Sequence, residues 1–299
     1  MAKILVSGLI NTETTVRIKQ FPIEYFPIDY PFFGVNTRVS GVSYNLVKAL
    51  KTLGDDVKLV TMTGKDFGGD YIQSEVEKVG IDTGYIKRVL ETTSNSVVLY
   101  APDGKRQIYC DLKDIQDKQY NFEETIYNDC DIVAACNINY NRELLSKAKA
   151  SGKIIATDVH VLSDIDDAYN ADFMKAANIL FLSDENIEGD YKEFLTSIEN
   201  KYHNDIIVLG MGKNGALMYV KEEDEFFELP AVNVNTVVNT VGAGDALFSG
   251  FIHYYAKGFS PIECLKRAEI FASYKIGFDG AAVGFCDEEK LEKMVKQHF

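Results

Sequence analysis

Basic residues are in short supply: 31 lysines and arginines face 45 aspartates and glutamates, giving a net charge of -14 and a pI near 4.8. Nucleic-acid and anionic-membrane partners are therefore excluded, because phosphate backbones are held by basic patches. Any small polyanion would have to be held by local backbone N–H groups and a metal ion. Cysteine is also sparse. Cys110, Cys130, Cys136, Cys264 and Cys286 show no C-x-x-C spacing, and an odd number cannot complete a disulfide framework. Reduced thiols in a cytoplasm are expected. The four histidines, His160, His203, His253 and His298, show no metal-ligand pairing, so a zinc site is not expected. No apolar run is long enough to span a bilayer, and Met1-Ala2-Lys3-Ile4-Leu5-Val6 leads into a short strand without the apolar region of a signal peptide. With only 6 prolines and no linker, repeat or low-complexity tract, residues 1–299 are expected to form a single domain.

The chain has the material for a large core: 299 residues, 46% of them hydrophobic. Short β-branched runs alternate with longer amphipathic segments, the pattern of βαβ units around a mainly parallel sheet. Candidate buried strands are Val57–Thr61, Asp131–Ala135, Ile154–Thr157, Ile179–Phe181 and Ile206–Leu209. Between them, the spacing of Leu46, Val47, Leu50 and Leu53 predicts a helix over 45–53 that stops at Gly54, and a second over 142–150 stops before Gly152. One region breaks the alternation. Thr14 to Val39 holds Phe21, Tyr25, Phe26, Tyr30, Phe32 and Phe33 among Pro22, Pro27 and Pro31, too proline-broken for a helix. A strand-and-turn flap is expected there, with a second piece at Ser96–Tyr100, the turn Pro102-Asp103-Gly104 and a strand Gln107–Tyr109. The same aromatic cluster could simply pack a peripheral hairpin.

The most informative stretch is Thr240-Val241-Gly242-Ala243-Gly244-Asp245-Ala246, a glycine turn that hands an aspartate to an apolar helix. Helix N-termini carry unpaired N–H groups and the positive end of the macrodipole, so Gly242, Ala243 and Gly244 can wrap an anion. A carboxylate beside a bound polyphosphate can take a proton from a hydroxyl, which points to phosphoryl transfer. Alternatively, Gly-Ala-Gly only makes a turn and Asp245 is its N-cap. Gly210-Met211-Gly212-Lys213-Asn214-Gly215 is a formal G-x-G-x-x-G, yet Ala216–Val220 reads as a strand, against a dinucleotide-binding βαβ unit. No Gly-Lys pair is followed by Ser or Thr, which excludes a P-loop.

In order along nearly the whole chain, several segments resemble the ribokinase-like (pfkB) family of sugar and nucleoside kinases. Asn11-Thr12-Glu13 is similar to its Asn-x-Asp substrate-binding turn, and Ser40-Gly41-Val42-Ser43-Tyr44-Asn45 to its Gly-Gly-x-x-x-Asn. Gly64-Lys65-Asp66-Phe67-Gly68, Val79-Gly80-Ile81-Asp82-Thr83 and the Asp245 motif follow.

The resemblance implies a three-layer α/β/α sandwich plus a small β-sheet lid, built from segments of about 14–39 and 95–111, which often also serves as a homodimer surface. It implies a magnesium-dependent kinase that uses ATP on a hydroxyl, primary by expectation, of a small sugar or sugar derivative. Asp245 would be general base, with Gly242, Ala243 and Gly244 as anion hole. Asn11, Glu13, Gly41 and Asn45 would bind the acceptor, and Gly210, Gly212, Gly215 and Thr240 the nucleotide. Asn11 and Asn45 as turn or cap residues, and the three glycines as a plain hairpin turn, are the alternatives.

Some positions depart from the family. Ser183-Asp184-Glu185-Asn186 stands where Asn-x-x-Glu is usual, so magnesium is assigned to Asp184 or Glu185, or to ATP itself. Asn239 replaces an Asp, and Gly280-Ala281-Ala282-Val283-Gly284 is the only trace of a monovalent-cation site, so the resemblance leaves potassium dependence open. Glu13 and Ser40 alter the acceptor pocket. A nucleoside kinase, favoured if Phe26, Tyr30 or Phe33 stacks a base, and a non-catalytic ligand-binding protein on the same scaffold remain as alternatives.

Overall fold

The computed structural model describes residues 1–299. β1 (Lys3–Ser7) is followed by β2 (Asn11–Arg17), β3 (Val35–Ser40), α1 (Val42–Thr52), β4 (Asp56–Gly64), α2 (Phe67–Lys78), β5 (Ile86–Leu90), β6 (Asn95–Tyr100) and β7 (Arg106–Asp111). Next come α3 (Glu124–Tyr127), β8 (Ile132–Ala135), α4 (Asn141–Ala150), β9 (Ile154–Val161), α5 (Ala171–Ala176), β10 (Ile179–Ser183), α6 (Tyr191–Tyr202) and β11 (Ile206–Gly210). The chain ends with β12 (Ala216–Val220), β13 (Glu225–Leu229), α7 (Ala243–Ala256), α8 (Pro261–Lys275) and α9 (Glu288–His298).

Nine strands form one sheet in the order β13-β12-β11-β10-β9-β8-β1-β4-β5. All neighbouring pairs are parallel except β11–β12 and β12–β13 at one edge, so β12 alone runs against the others. Strand side chains alternate between faces, and here both faces are apolar. Ile4, Val6, Ile179 and Phe181 enter one core with α1, α2, α7, α8 and α9, whereas Leu5, Leu180 and Leu182 enter another with α3 to α6. The continuous apolar strands read from the sequence are thus sheet interior covered on both sides. Each fully buried aliphatic contributes roughly 1.5–3 kcal/mol. Leu46, Val47, Leu50 and Leu53 are all buried, and α1 ends where Gly54 takes φ 94°. β5 and β13 were not evident in the sequence. Both are edge strands in which Lys87 and Arg88, or Glu225 and Glu228, interrupt the apolar run.

A separate four-stranded sheet, β3-β2-β6-β7, comes from the two aromatic and turn-rich segments. β2 pairs antiparallel with β3, with Asn11 opposite Ser40 and Glu13 opposite Arg38. It also pairs parallel with β6, with Glu13 opposite Ser96. This register sets Asn11, Glu13, Arg38, Ser40 and Ser96 on one face. Asn11-Thr12-Glu13 is therefore strand and not the turn expected, because β2 pairs with β3 from Asn11 onward and with β6 from Thr12 onward. Between β2 and β3 the chain is irregular, and Tyr25 (88% exposed) and Phe33 (99% exposed) point into solvent. No helix is long and apolar enough to cross a membrane.

Candidate active site

Because β1, β8, β9, β10 and β11 are parallel, their carboxyl ends share one edge of the sheet, the edge at which α/β proteins bind ligands. The first turn of α7 meets that edge. Gly242 caps α7 with φ 78°, and a Cβ there would lie 2.7 Å from the Ala281 carbonyl oxygen. Only glycine fits this position. The Ala243 N–H donates to the Thr240 carbonyl at 3.2 Å, whereas those of Gly242, Gly244 and Asp245 donate to no protein group. These free N–H groups and the helix dipole make an anion cradle. Asp245 is the third residue of α7 and not its cap, which removes the capping alternative.

Asn45 reaches this carboxylate from the first turn of α1: its Nδ2 donates to Asp245 Oδ2 at 2.7 Å. Asn45 itself is placed by Gly41, whose φ of 101° and backbone contact with Leu9 leave no room for a side chain. Burial pushes the Asp245 pKa up to about 6, while the Asn45 hydrogen bond and the nearby charge of His160 hold it down. A carboxylate titrating there is poised as a base near neutral pH.

His160 and Asp158, at the end of β9, were not singled out from the sequence. Asp158 lies 3.3 Å from His160 Nδ1 and raises the imidazole pKa to about 9, so the ring is cationic at neutral pH. Only the strand packing shows this, since nothing in Asp158-Val159-His160 marks proximity to Asp245.

The small sheet faces a cavity of ≈ 580 Å³ whose walls include Glu13, Ser40, Tyr44 and Tyr100, and which ends at Thr240 and Val241, the residues leading into the Gly242 turn. Glu13 accepts from Ser40 Oγ at 3.3 Å, and burial raises its pKa despite Ser40, Arg38 and Arg106. Asn11 donates to Ser96 Oγ at 3.0 Å. Oδ1 of Asn11 and Oδ1 of Asn45 are buried without partners. Leaving a buried polar atom unpaired costs about 1–3 kcal/mol, and hydroxyl donors would satisfy both. Phe26, Tyr30 and Phe33 do not line this cavity.

Gly210 closes β11, Gly212–Asn214 form a single tight turn, and Gly215 leads into antiparallel β12. The G-x-G-x-x-G is thus a hairpin, as its flanking residues suggest. It touches α7, for a Cβ on Gly210 would lie 3.8 Å from Leu247. Asp184 N–H donates to the Gly210 carbonyl at 3.0 Å, and Tyr191 donates to its carboxylate at 3.4 Å. Glu185 is exposed beside it. No three His, Cys, Asp or Glu side chains cluster as a metal site. Magnesium keeps several waters and takes ligands from substrate phosphates, so one or two carboxylates such as these are the protein share it would need.

Comparison with known proteins adds independent evidence. The pattern of the pfkB family carbohydrate kinases matches residues 1–286. A deoxyribokinase of Salmonella typhi is 24% identical, with 97% of each chain covered. A nucleoside kinase of Methanocaldococcus jannaschii is 19% identical over 100% of this chain and 98% of its own. Among solved structures, a microbiome-derived acarbose kinase superposes with a TM-score of 0.88 at 21% identity, covering 99% of both chains. Arabidopsis thaliana ribokinase complexed with ribose and ATP superposes with a TM-score of 0.81 at 19% identity, again over 99% of both.

Proposed function

The chain belongs to the pfkB family of carbohydrate kinases, and from that premise we propose that it transfers a phosphoryl group from ATP to a primary hydroxyl of a small sugar or sugar derivative, with Asp245 as general base. The observation that carries this reading is the Asp245 carboxylate, held by Asn45 at 2.7 Å in the same helical turn as the free N–H groups of Gly242 and Gly244. Base and anion cradle are thereby fixed relative to each other before substrate arrives, which is where most of the rate gain in phosphoryl transfer originates.

In this scheme the acceptor hydroxyl lies against Asp245, whose carboxylate takes the proton as the oxygen attacks. Asn11 and Asn45 accept hydrogen bonds from other acceptor hydroxyls, Glu13 holds a further one, and Gly41 allows close approach. Gly242 and Gly244 donate to the phosphoryl group, with Ala243 shaping the turn between them. Gly210, Gly212, Gly215 and Thr240 flank the nucleotide. Magnesium, when bound, would neutralise phosphate charge, with Asp184 and Glu185 as its protein ligands. The small sheet acts as a lid that excludes water from the acceptor cavity.

A sugar is favoured over a nucleoside because Phe26, Tyr30 and Phe33, the aromatics that would stack a base, stand outside the cavity, and the amide oxygens of Asn11 and Asn45, though not part of its lining, are left without partners for hydroxyl donors. A non-catalytic role is disfavoured by an intact base and cradle. The test is ATP consumption with magnesium over a panel of sugars and nucleosides, comparing wild type with Asp245→Asn. Turnover on one acceptor that falls by a factor of about 10² or more supports the proposal. Undiminished turnover in the variant rejects Asp245 as base.

A further inference from the structure

Lys275, the last residue of α8, is 0% exposed. Lysine is almost never fully buried unless paired, because desolvating an ammonium costs several kcal/mol. Yet Lys275 forms no ion pair, and its Nζ donates to a single protein group, the carbonyl of Val241. An aliphatic side chain would fill the same space without that cost.

The position of its partner gives the lysine a meaning. Val241 immediately precedes Gly242, the cap of the anion cradle. The other side of Val241 is held as well, for its N–H donates to Asn239 Oδ1 at 2.9 Å, and Asn239 Nδ2 donates to Asp279 Oδ1 at 3.0 Å. Asn239 accepts from one neighbour and donates to the other, which an aspartate at this position could not do. The residue entering the cradle is thus gripped at its N–H by an amide and at its carbonyl by a buried cation. The acidic groups acting on Lys275 are Asp245 and Asp279, and burial lowers its pKa to about 8, so at neutral pH it stays mostly protonated. Neither carboxylate forms an ion pair with this buried cation, which instead bonds the residue entering the turn of free N–H groups, an arrangement that fits an anion the protein itself does not supply.

We propose that Lys275 is the resident cation of the phosphoryl-binding turn: it positions Val241 and Gly242 and supplies a fixed positive charge there, so that the enzyme needs no monovalent metal ion. This rests on the kinase reading above. Lys275 is a positioning residue, acting on the reaction through the turn.

The test compares wild type, Lys275→Met and Lys275→Ala on whichever acceptor the panel identifies, in sodium, potassium, ammonium and tetramethylammonium chloride. Expected is a wild-type rate equal in all four salts, and in Lys275→Met a kcat about tenfold or more lower at little-changed acceptor KM. In Lys275→Ala, potassium or ammonium restores part of the lost rate and tetramethylammonium does not. A lysine that merely packs would give no such rescue. An unchanged kcat in Lys275→Met overturns the inference, as does absence of rescue. A wild-type rate that rises about tenfold with potassium also overturns it, even where both variants fail to fold. If wild type turns over no acceptor, the kinase reading fails separately. The affinity of wild type and Lys275→Met for ATP then decides: weaker binding by the variant supports the cation, and equal binding overturns it.

Discussion

Asn45 Nδ2 donates to Asp245 Oδ2 at 2.7 Å across 200 positions of sequence, joining the first turn of α1 to the first turn of α7. The bond does two things at once. It favours the ionised carboxylate that burial disfavours, and it turns the amide so that Asn45 Oδ1 is left buried and unpaired. Asn45→Ala is therefore expected to raise the Asp245 pKa, moving the acid limb of kcat/KM upward from about 6. It should also raise the acceptor KM by about tenfold, through loss of the amide oxygen. A pH-rate profile unchanged from wild type would separate Asn45 from the base.

Asp245→Asn is expected to lose activity and gain stability. The folded-state pKa is raised from 3.8 to about 6, so the carboxylate's contribution is lost as pH rises through that window, and its ionised form costs stability above it. The amide removes this cost. Urea unfolding should show the variant more stable by about 1–3 kcal/mol at pH 7.5, the difference vanishing below pH 4. Equal stability at both pH values would mean that Asp245 is not desolvated in solution.

For His160 the sign is worked out from a pKa raised from 6.5 to about 9, first by the charge of Asp158. The imidazolium stabilises the fold fully below pH 6.5, and this contribution disappears as pH rises through 9. His160→Gln should lower the melting temperature at pH 6 and leave it unchanged at pH 9.5. Because His160 also lowers the Asp245 pKa, the variant's acid limb should move to higher pH.

Gly242→Ala forces a side chain into φ 78° with its Cβ 2.7 Å from the Ala281 oxygen. A strain of about 1–3 kcal/mol is expected, with the turn displaced and ATP turnover reduced by an order of magnitude or more. Thermal unfolding together with steady-state kinetics checks both parts.

Phe33, 99% exposed, should tolerate replacement. Phe33→Ser is expected to change stability by less than about 0.5 kcal/mol and to leave the acceptor KM alone. A marked KM increase confined to nucleosides would instead restore base stacking and the nucleoside reading.

The fold was largely legible because its signals are local. Buried parallel strands leave continuous apolar runs such as Ile206–Leu209, and helices leave one-sided spacings such as Leu46, Val47 and Leu50 closed by Gly54. β5 and β13 escaped because these edge strands are interrupted by charges, Lys87 and Arg88 in one and Glu225 and Glu228 in the other, and lose that continuity. Asn11-Thr12-Glu13 was misread as a turn because only pairing with β3 and β6 makes it strand. The site was legible in part. A glycine turn with an aspartate writes its chemistry into adjacent residues, so Gly242, Gly244 and Asp245 could be named at once.

By itself, then, the sequence determined the alternating α/β architecture, the glycine turn proposed to bind an anion, the candidate base and the exclusion of P-loop and dinucleotide folds, all of which depend on neighbours in the chain. The tertiary structure alone decided which distant groups meet. Asn45 on Asp245, the His160 charge beside Asp245, and Lys275 under Val241 each join segments with no periodic relationship. Such contacts arise from the parallel order of the strands and the packing of α1, α7 and α8 on one face. Burial acts the same way: it moves Asp245 to about 6 and Lys275 to about 8 by removing water, a property of the assembled site that no short stretch of sequence carries.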